Sequence, residues 1–455
     1  MLAMRRKKRL ANGTMHEVRL AGSGSAWWAS RRRARAHPRL PTHPAGGARD
    51  PAIAALAAAV AGARARPQPI RIYNCNCKNR GVGVRFPDLC TRALARFPTF
   101  SIPSISLEFC TRDQIGLVKP SAWYAEAMER AVGSVSVTVP RGAFTLSLPR
   151  FTRAEALSLT LTHRIDLKLP DPAAGEDPVH FGRLTELALA TLWLPAGTPP
   201  LHGFLSSSCP RLRRLRLCCV RGGEAVRALL LRSDALEALD LNNVEGMARL
   251  DVAAPNLLSL SVRSCFRFPR SADEDTEAVV SAPRMESICW YRSYPKRLSI
   301  ADGSLARVRR LSGLKLATLG RSDRFDFPYT MQLLQACSLT TQHLELDLVM
   351  PDEMALHNWL GPEERGSCED LMRYVPPLPR VTVLSLTVRW GIGGDVGVGP
   401  CLASLLSRVP SVATIYVHPA PYSLTVLVSG VFGPIGAGKI GLYGGGGQCM
   451  QYEVW

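Results

Sequence analysis

Three stretches in the middle of the chain share one rhythm of apolar and polar positions. They are CPRLRRLRL (Cys209–Leu217), SDALEALDL (Ser233–Leu241) and APNLLSLSV (Ala254–Val262). In each, an apolar residue is followed by two others, an apolar residue, one more, and an apolar residue. The last part alternates with period two, which predicts a short strand with one buried face. Aligned on the first apolar position, the pattern recurs at Leu184, Leu212, Leu236, Leu257, Met285 and Leu311, with steps of 28, 24, 21, 28 and 26 residues. Weaker copies begin at Val132, Ala154, Thr341, Val381 and Val412, about eleven units in all.

A second regularity is independent of the first. Proline stands two residues ahead of the first apolar position in five units, at Pro210, Pro255, Pro283, Pro379 and Pro410. Its fixed φ and missing N–H would halt the preceding segment and favour an extended lead-in. Periods of 21 to 28 residues with this strand signature indicate leucine-rich repeats. The predicted fold is an α/β leucine-rich-repeat solenoid: a horseshoe with a parallel β-sheet on its concave face and a disordered N-terminal tail. No unit can close a core alone, so stability must come from stacking neighbours.

The repeats are degenerate. The ninth position, often Asn or Cys, is Cys265 in one unit but Leu192, Val220 and Val244 in others. Without an asparagine ladder the connecting loops are expected to be irregular. The variable segments should be helical or irregular on the convex side. GEAVRALLLRS (Gly223–Ser233) has helical spacing, with Val226, Leu229 and Leu230 on one side.

Third, fifth and seventh positions should face solvent on the concave side. Strands about 4.8 Å apart would set Glu186 beside Arg214, Arg216 beside Asp240 and Lys315 beside Glu345. Each pair is of opposite sign. Such pairs read either as a charged recognition surface or as ladders stabilising the sheet, each worth about 0–1 kcal/mol. The individual pairs suit the ladder reading; the face as a whole is the expected partner site. Arg263 and Tyr291, at seventh positions, have the residue types that anchor interfaces.

Charge changes the picture little. Of the formal net charge of +19, residues 1–66 supply +12, from fourteen Lys or Arg against Glu17 and Asp50. The basic signal therefore belongs mainly to a tail, and nucleic acid is not the expected partner of the repeats. The tail mixes Arg, Ala, Gly, Pro and Ser without a period. MRRKKRL (Met4–Leu10) allows a nuclear import cluster, the acid-poor composition an organelle transit peptide, and the simplest reading is a solvated tail. No secretory signal is expected, because MRRKKRL runs into polar residues with no apolar core behind it. Thirteen cysteines, without a CxxC pair, suggest reduced thiols in an intracellular chain of the cytoplasm or nucleus. No membrane span is expected.

One motif invites chemistry. GPIGAGKI (Gly433–Ile440) satisfies GxxxxGK, the spacing of a nucleotide phosphate cradle. Ile440 stands where a magnesium-binding Ser or Thr is needed, and four consecutive glycines follow shortly after. A flexible glycine-rich tail is the expectation instead. There is no HExxH and no GxSxG. No catalytic residue, metal, cofactor or small-molecule substrate is expected. The anticipated organisation is a basic tail (1–66), an N-terminal capping region (67–130), the solenoid (131–425) and a Gly-rich tail (426–455).

FGRLTELALATLWL, LHGFLSSSCPRLRRLRLCCV, SDALEALDLNNVEGMARLDVAAPNLLSLSV and SAPRMESICWY resemble the plant F-box/leucine-rich-repeat proteins, especially the large grass families, over about residues 70–420. The resemblance implies a non-enzymatic substrate-recognition repeat domain of a ubiquitin-ligase receptor. In that family an N-terminal F-box binds a Skp-type adaptor. SAWWASRRRARAHPRLP (Ser25–Pro41) only faintly resembles the end of an F-box, so an adaptor is implied only if a divergent F-box exists. The target protein is not identified. A stand-alone repeat scaffold, and nucleic-acid binding through the basic tail, are the alternatives.

Overall fold

In a computed structural model, the chain is described over residues 70–74, 102–109, 121–139, 144–162, 165–170, 179–266, 275–301, 303–317, 319–320, 326–350, 369–390, 398–419, 438–443 and 449–454. The basic tail and its expected disorder lie outside these residues.

The strands are β1 (Ile70–Asn74), β2 (Ile102–Phe109), β3 (Ala131–Thr138), β4 (Phe144–Ser147), β5 (Ala156–Thr160), β6 (Ile165–Lys168), β7 (Glu186–Trp193) and β8 (Arg214–Arg221). They continue with β9 (Ala228–Arg232), β10 (Ala238–Asn242), β11 (Arg249–Ala253), β12 (Ser259–Arg263), β13 (Glu277–Ser281), β14 (Ser287–Tyr291), β15 (Arg297–Ile300) and β16 (Arg310–Ala317). Last come β17 (Leu319–Gly320), β18 (His343–Met350), β19 (Glu369–Asp370), β20 (Val383–Trp390), β21 (Thr414–Pro419), β22 (Gly438–Tyr443) and β23 (Cys449–Val454). The described helices are α1 (Ser121–Arg130), α2 (Leu201–Ser208), the single turn α3 (Glu224–Arg227), α4 (Asp326–Ala336) and α5 (Val398–Ser407).

One parallel ladder runs β1–β2–β3–β5–β7–β8–β10–β12–β14–β16–β18–β20–β21–β22, and β23 closes it antiparallel on β22. This is the predicted leucine-rich-repeat solenoid. The apolar spine is in register: Leu215 faces Leu239, which faces Leu260, each 1% exposed. Burial alternates along the strands as the period-two pattern requires.

Backbone hydrogen bonds lock that register. At the start of the ladder strands β7, β8, β10, β12, β14, β16, β18, β20 and β21 one carbonyl of the preceding unit accepts two N–H groups. Thr185 accepts from Arg213 and Arg214, Arg213 from Glu237 and Ala238, and Glu286 from Arg309 and Arg310. The prolines play a different part from the extended lead-in expected of them. Leu212 N–H donates to Cys209 O, Leu257 to Ala254, Met285 to Ala282 and Val381 to Leu378. Each proline is therefore the second residue of a four-residue turn, where its fixed φ is pre-set.

The ladder extends beyond the 131–425 span expected for the solenoid. β1 and β2 carry it into residues assigned to a cap, and β22 and β23 into residues assigned to a Gly-rich tail. Lys439 and Ile440 of GPIGAGKI lie in β22, paired with Thr414 and Ile415. A phosphate cradle requires a helix to begin there; a strand begins instead.

The convex side also departs from expectation. β9, β11, β13 and β15 form a second, four-stranded parallel sheet. The Gly223–Ser233 segment splits into the single turn α3 and the strand β9, with Leu229 and Leu231 buried and Leu230 less so. Alternating leucines beside an available strand edge gain a full hydrogen-bond ladder, which outweighs their helical spacing.

The corners late in these units are regular where irregular loops were expected. Thr191, Cys219, Asn243, Ser264 and Arg292 all have φ between 46° and 53°, and each is the eighth residue of its unit. The ninth residue then turns inward, and Leu192, Val220, Val244 and Cys265 are all at most 2% exposed. Apolar burial thus takes the place of an asparagine ladder. A left-handed β-branched residue is strained. Thr191→Gly is therefore expected to stabilise the chain by about 1 kcal/mol. A rise in the urea midpoint checks this; a fall would mean that Thr191 contributes more by its contacts than its backbone costs.

Candidate partner-binding face

The concave surface is built from alternate residues of the long ladder, and Arg216 and Asp240 each stand between two buried leucines. Two of the three expected charge pairs form. Arg214 Nη1 lies 2.9 Å from Glu186 Oε1 across β7 and β8, and Arg216 Nε lies 3.4 Å from Asp240 Oδ2 across β8 and β10. All four side chains are substantially exposed, so each pair is worth at most about 1 kcal/mol.

The third pair does not form, for a definite reason. Residues Ser312–Gly313 make a bulge in β16, with Gly313 at φ +73°. Leu311 faces Ile288 and Leu344, which makes it the fourth position of its unit, not the first. The first position is Val308, fully buried. Past the bulge, Lys315 stands beside Asp347 rather than Glu345. Glu345 stands instead beside Ser385 of β20.

Arg263 and Tyr291 are neighbours across β12 and β14. Arg263 Nε donates to Cys289 Sγ at 3.3 Å, and the Arg292 guanidinium sits 5.2 Å from the centre of the Tyr291 ring. The ring is thus held by a cation–π contact at its edge of the sheet. Arg216, Asp240, Arg263, Cys289 and Tyr291 form one contiguous patch over β8, β10, β12 and β14; Glu345 lies near enough to act on the Arg263 guanidinium, and Lys315 stands on β16 beside Asp347. At its centre Ser261 Oγ and Asp240 Oδ1 are buried with no hydrogen-bond partner.

The sequence reading missed a thiol–amide group at the corner of this patch. Asn242 Nδ2 lies 3.7 Å from Cys218 Sγ and Asn243 Nδ2 lies 3.6 Å from Cys219 Sγ. The pairing of CC with NN one unit later was the available signal. Burial, then the neighbouring Cys219, hold the Cys218 thiol above its ordinary range. Burial pushes Cys265 up to about 11, and Cys209 and Cys337 up to about 12. Cys209, Cys265 and Cys337 are buried, and burial of that kind suits thiols that pack in a core.

Among the described residues, no group of three or more His, Cys, Asp or Glu could hold a metal ion. Among the same residues, no helix is long and apolar enough to cross a membrane.

Residues 170–328 match the family model described as FBD-associated F-box protein At5g56370, LRR repeats. Neither comparison with curated proteins nor comparison with solved structures gave a match. The matched span holds β7 to β16 and with them the contiguous patch. Leucine-rich repeats are in general interaction modules, which present extended concave surfaces to other proteins. Over residues 170–328 the chain therefore carries leucine-rich repeats of the kind described for FBD-associated F-box proteins, and the similarity rests on the repeat region.

Proposed function

We propose that this chain is a non-enzymatic recognition module whose concave face selects a protein target, in the manner of the substrate-binding repeats of F-box ubiquitin-ligase receptors. One observation carries the reading. Arg216, Asp240, Arg263 and Tyr291 lie side by side on a rigid parallel sheet, within the span that matches an F-box-associated repeat family. Tyr and Arg on a pre-organised surface are the residue types that dominate binding energy. The ligase link is the finer part of the proposal. It places the chain inside a cell beside a Skp-type adaptor, and the stand-alone scaffold is the alternative.

The test uses the full chain in two arms. In the first, a Skp-type adaptor is offered as bait; capture supports the ligase link, and failure leaves a scaffold. In the second, a photo-crosslinking residue at Ser261 identifies the protein that touches the face. Binding of that protein should weaken at least about tenfold in Arg263→Glu and in Tyr291→Ala. Binding that neither substitution alters would remove the site from this face.

A further inference from the structure

The turns that precede the strands carry a row of residues that neither the spine nor the concave face uses. In each turn the third residue, directly ahead of the first core position, is exposed in the units that follow. It is arginine in six units: Arg153, Arg183, Arg211, Arg284, Arg307 and Arg380. Arg183, Arg211, Arg284, Arg307 and Arg380 belong to turns whose closing hydrogen bond is made, from Leu184 to Phe181, Leu212 to Cys209, Met285 to Ala282, Val308 to Leu305 and Val381 to Leu378. The phrase proline–arginine–apolar, as in CPRL, APRM and LPRV, writes this row into the sequence.

The first part of the row is answered by its own neighbours. Arg183 pairs with Glu155 at 3.0 Å, and Arg284 donates to Asn256 Oδ1 at 2.9 Å. Arg213 Nε, on the adjoining second-position row, donates to Glu237 Oε1 at 2.9 Å. The cleft of about 520 Å³ there also contains Asp234. Further along, the compensation stops. A cleft of about 300 Å³ is lined by Arg307, Arg309 and Arg380 with Thr340, Gln342 and the single carboxylate of Glu286. Among the described residues none of those three arginines makes an ion pair within 4.0 Å.

We propose that this rim cleft receives a phosphorylated side chain of the protein partner. The inference rests on the reading of the chain as a protein-recognition module and adds the chemistry of a second contact. Three guanidiniums against one carboxylate leave an excess that matches a phosphomonoester, which carries about −1.5 to −2 charges at neutral pH. Guanidinium forks fit phosphate oxygens two at a time. Arg307 and Arg380 stand two strands apart, roughly 10 Å, on either side of Thr340, and their long arms can close on one anion. A lone carboxylate would leave part of that cradle unfilled.

The test is a binding titration of the full chain with three peptide pools that differ only in a fixed central residue: phosphoserine, serine or glutamate. A duplex oligonucleotide serves as competitor. The phosphoserine pool should bind at least about tenfold tighter than the serine pool, with glutamate between. Arg309→Ala and Arg380→Ala, both exposed and outside the core, should each abolish most of that preference, and Arg232→Ala, an exposed residue of β9 in the second sheet, should leave it. Three results overturn the proposal. These are equal binding of the phosphoserine and serine pools, a phosphate preference unchanged in both rim variants (as binding to the basic tail would give), and oligonucleotide binding through the same arginines that exceeds peptide binding. Failure here with concave-face capture intact would leave the protein-recognition reading standing. Loss of concave-face capture would sink that reading on its own assay.

Discussion

Leu239→Ala is expected to lower the stability of the chain by about 2–5 kcal/mol. Leu239 sits at the middle of β10, 1% exposed, with Leu215 and Leu260 directly beside it on β8 and β12. Its side chain completes the interior of two units at once. Truncation therefore removes apolar burial and opens a cavity where neighbouring leucines cannot collapse, because hydrogen bonds on both sides hold their strands. A leucine from the second sheet is the control. Leu230, in β9, alternates between the buried Leu229 and Leu231 and is itself only partly covered. Leu230→Ala should cost less than about 1.5 kcal/mol. Urea unfolding of the two variants decides the matter. Equal losses would mean that the spine is not where the solenoid's stability resides.

The bulge in β16 supplies the second large effect. Gly313 has φ +73°, and a Cβ there would lie 2.8 Å from Cys289 Sγ and 3.2 Å from Tyr291 Cβ. Gly313→Ala combines a left-handed alanine with a clash against the neighbouring strand, about 2–4 kcal/mol in total. Gly303→Ala separates the two parts. Gly303 has φ +83° with nothing within 4 Å of an added Cβ, so only the conformational part applies, about 1 kcal/mol. Repeating Gly313→Ala in a Cys289→Ala background removes the nearest obstacle, and the cost should shrink. A coupling energy near zero in that cycle would show that the bulge does not press on Cys289. The clash has a functional side as well, since Cys289 accepts from Arg263 and Tyr291 is the aromatic of the partner-binding patch.

The two charge pairs that formed and the one that did not show how far a repeat can be read from its letters. Glu186–Arg214 and Arg216–Asp240 were legible because the units at Leu184, Leu212 and Leu236 share one frame, and equal positions on adjacent parallel strands must meet. The unit near Leu311 offers two frames, and the one that starts at Val308 puts Gly313 where the last apolar residue belongs. Val308, Leu311 and Leu314 are spaced three apart, and Leu311, Leu314 and Leu316 match the strand signature. Only the hydrogen bond from Arg309 N–H to Glu286 O and the bulge at Ser312–Gly313 select Val308 as the start. The choice moves Lys315 from Glu345 to Asp347.

The rim follows the same logic from the other side. The prolines of CPRL, APRM and LPRV stood out by their spacing, yet the arginine after each carried no visible meaning, since a lone exposed arginine is an ordinary solvated residue. Its significance depends on turns from separate units stacking, which brings Arg307, Arg309 and Arg380 to one cleft. The left-handed corners were hidden likewise, because Thr, Cys, Asn, Ser and Arg share no side-chain chemistry and only the backbone makes them equivalent.

By itself the sequence determined the repeating strand, its buried leucines and the parallel stacking, because burial period is a local property that every unit states again. Tertiary structure alone decided the frame of β16, the second sheet behind the first and which charges meet. Those depend on the backbone bonds between units, and each such bond joins residues that lie about a full repeat apart in the chain.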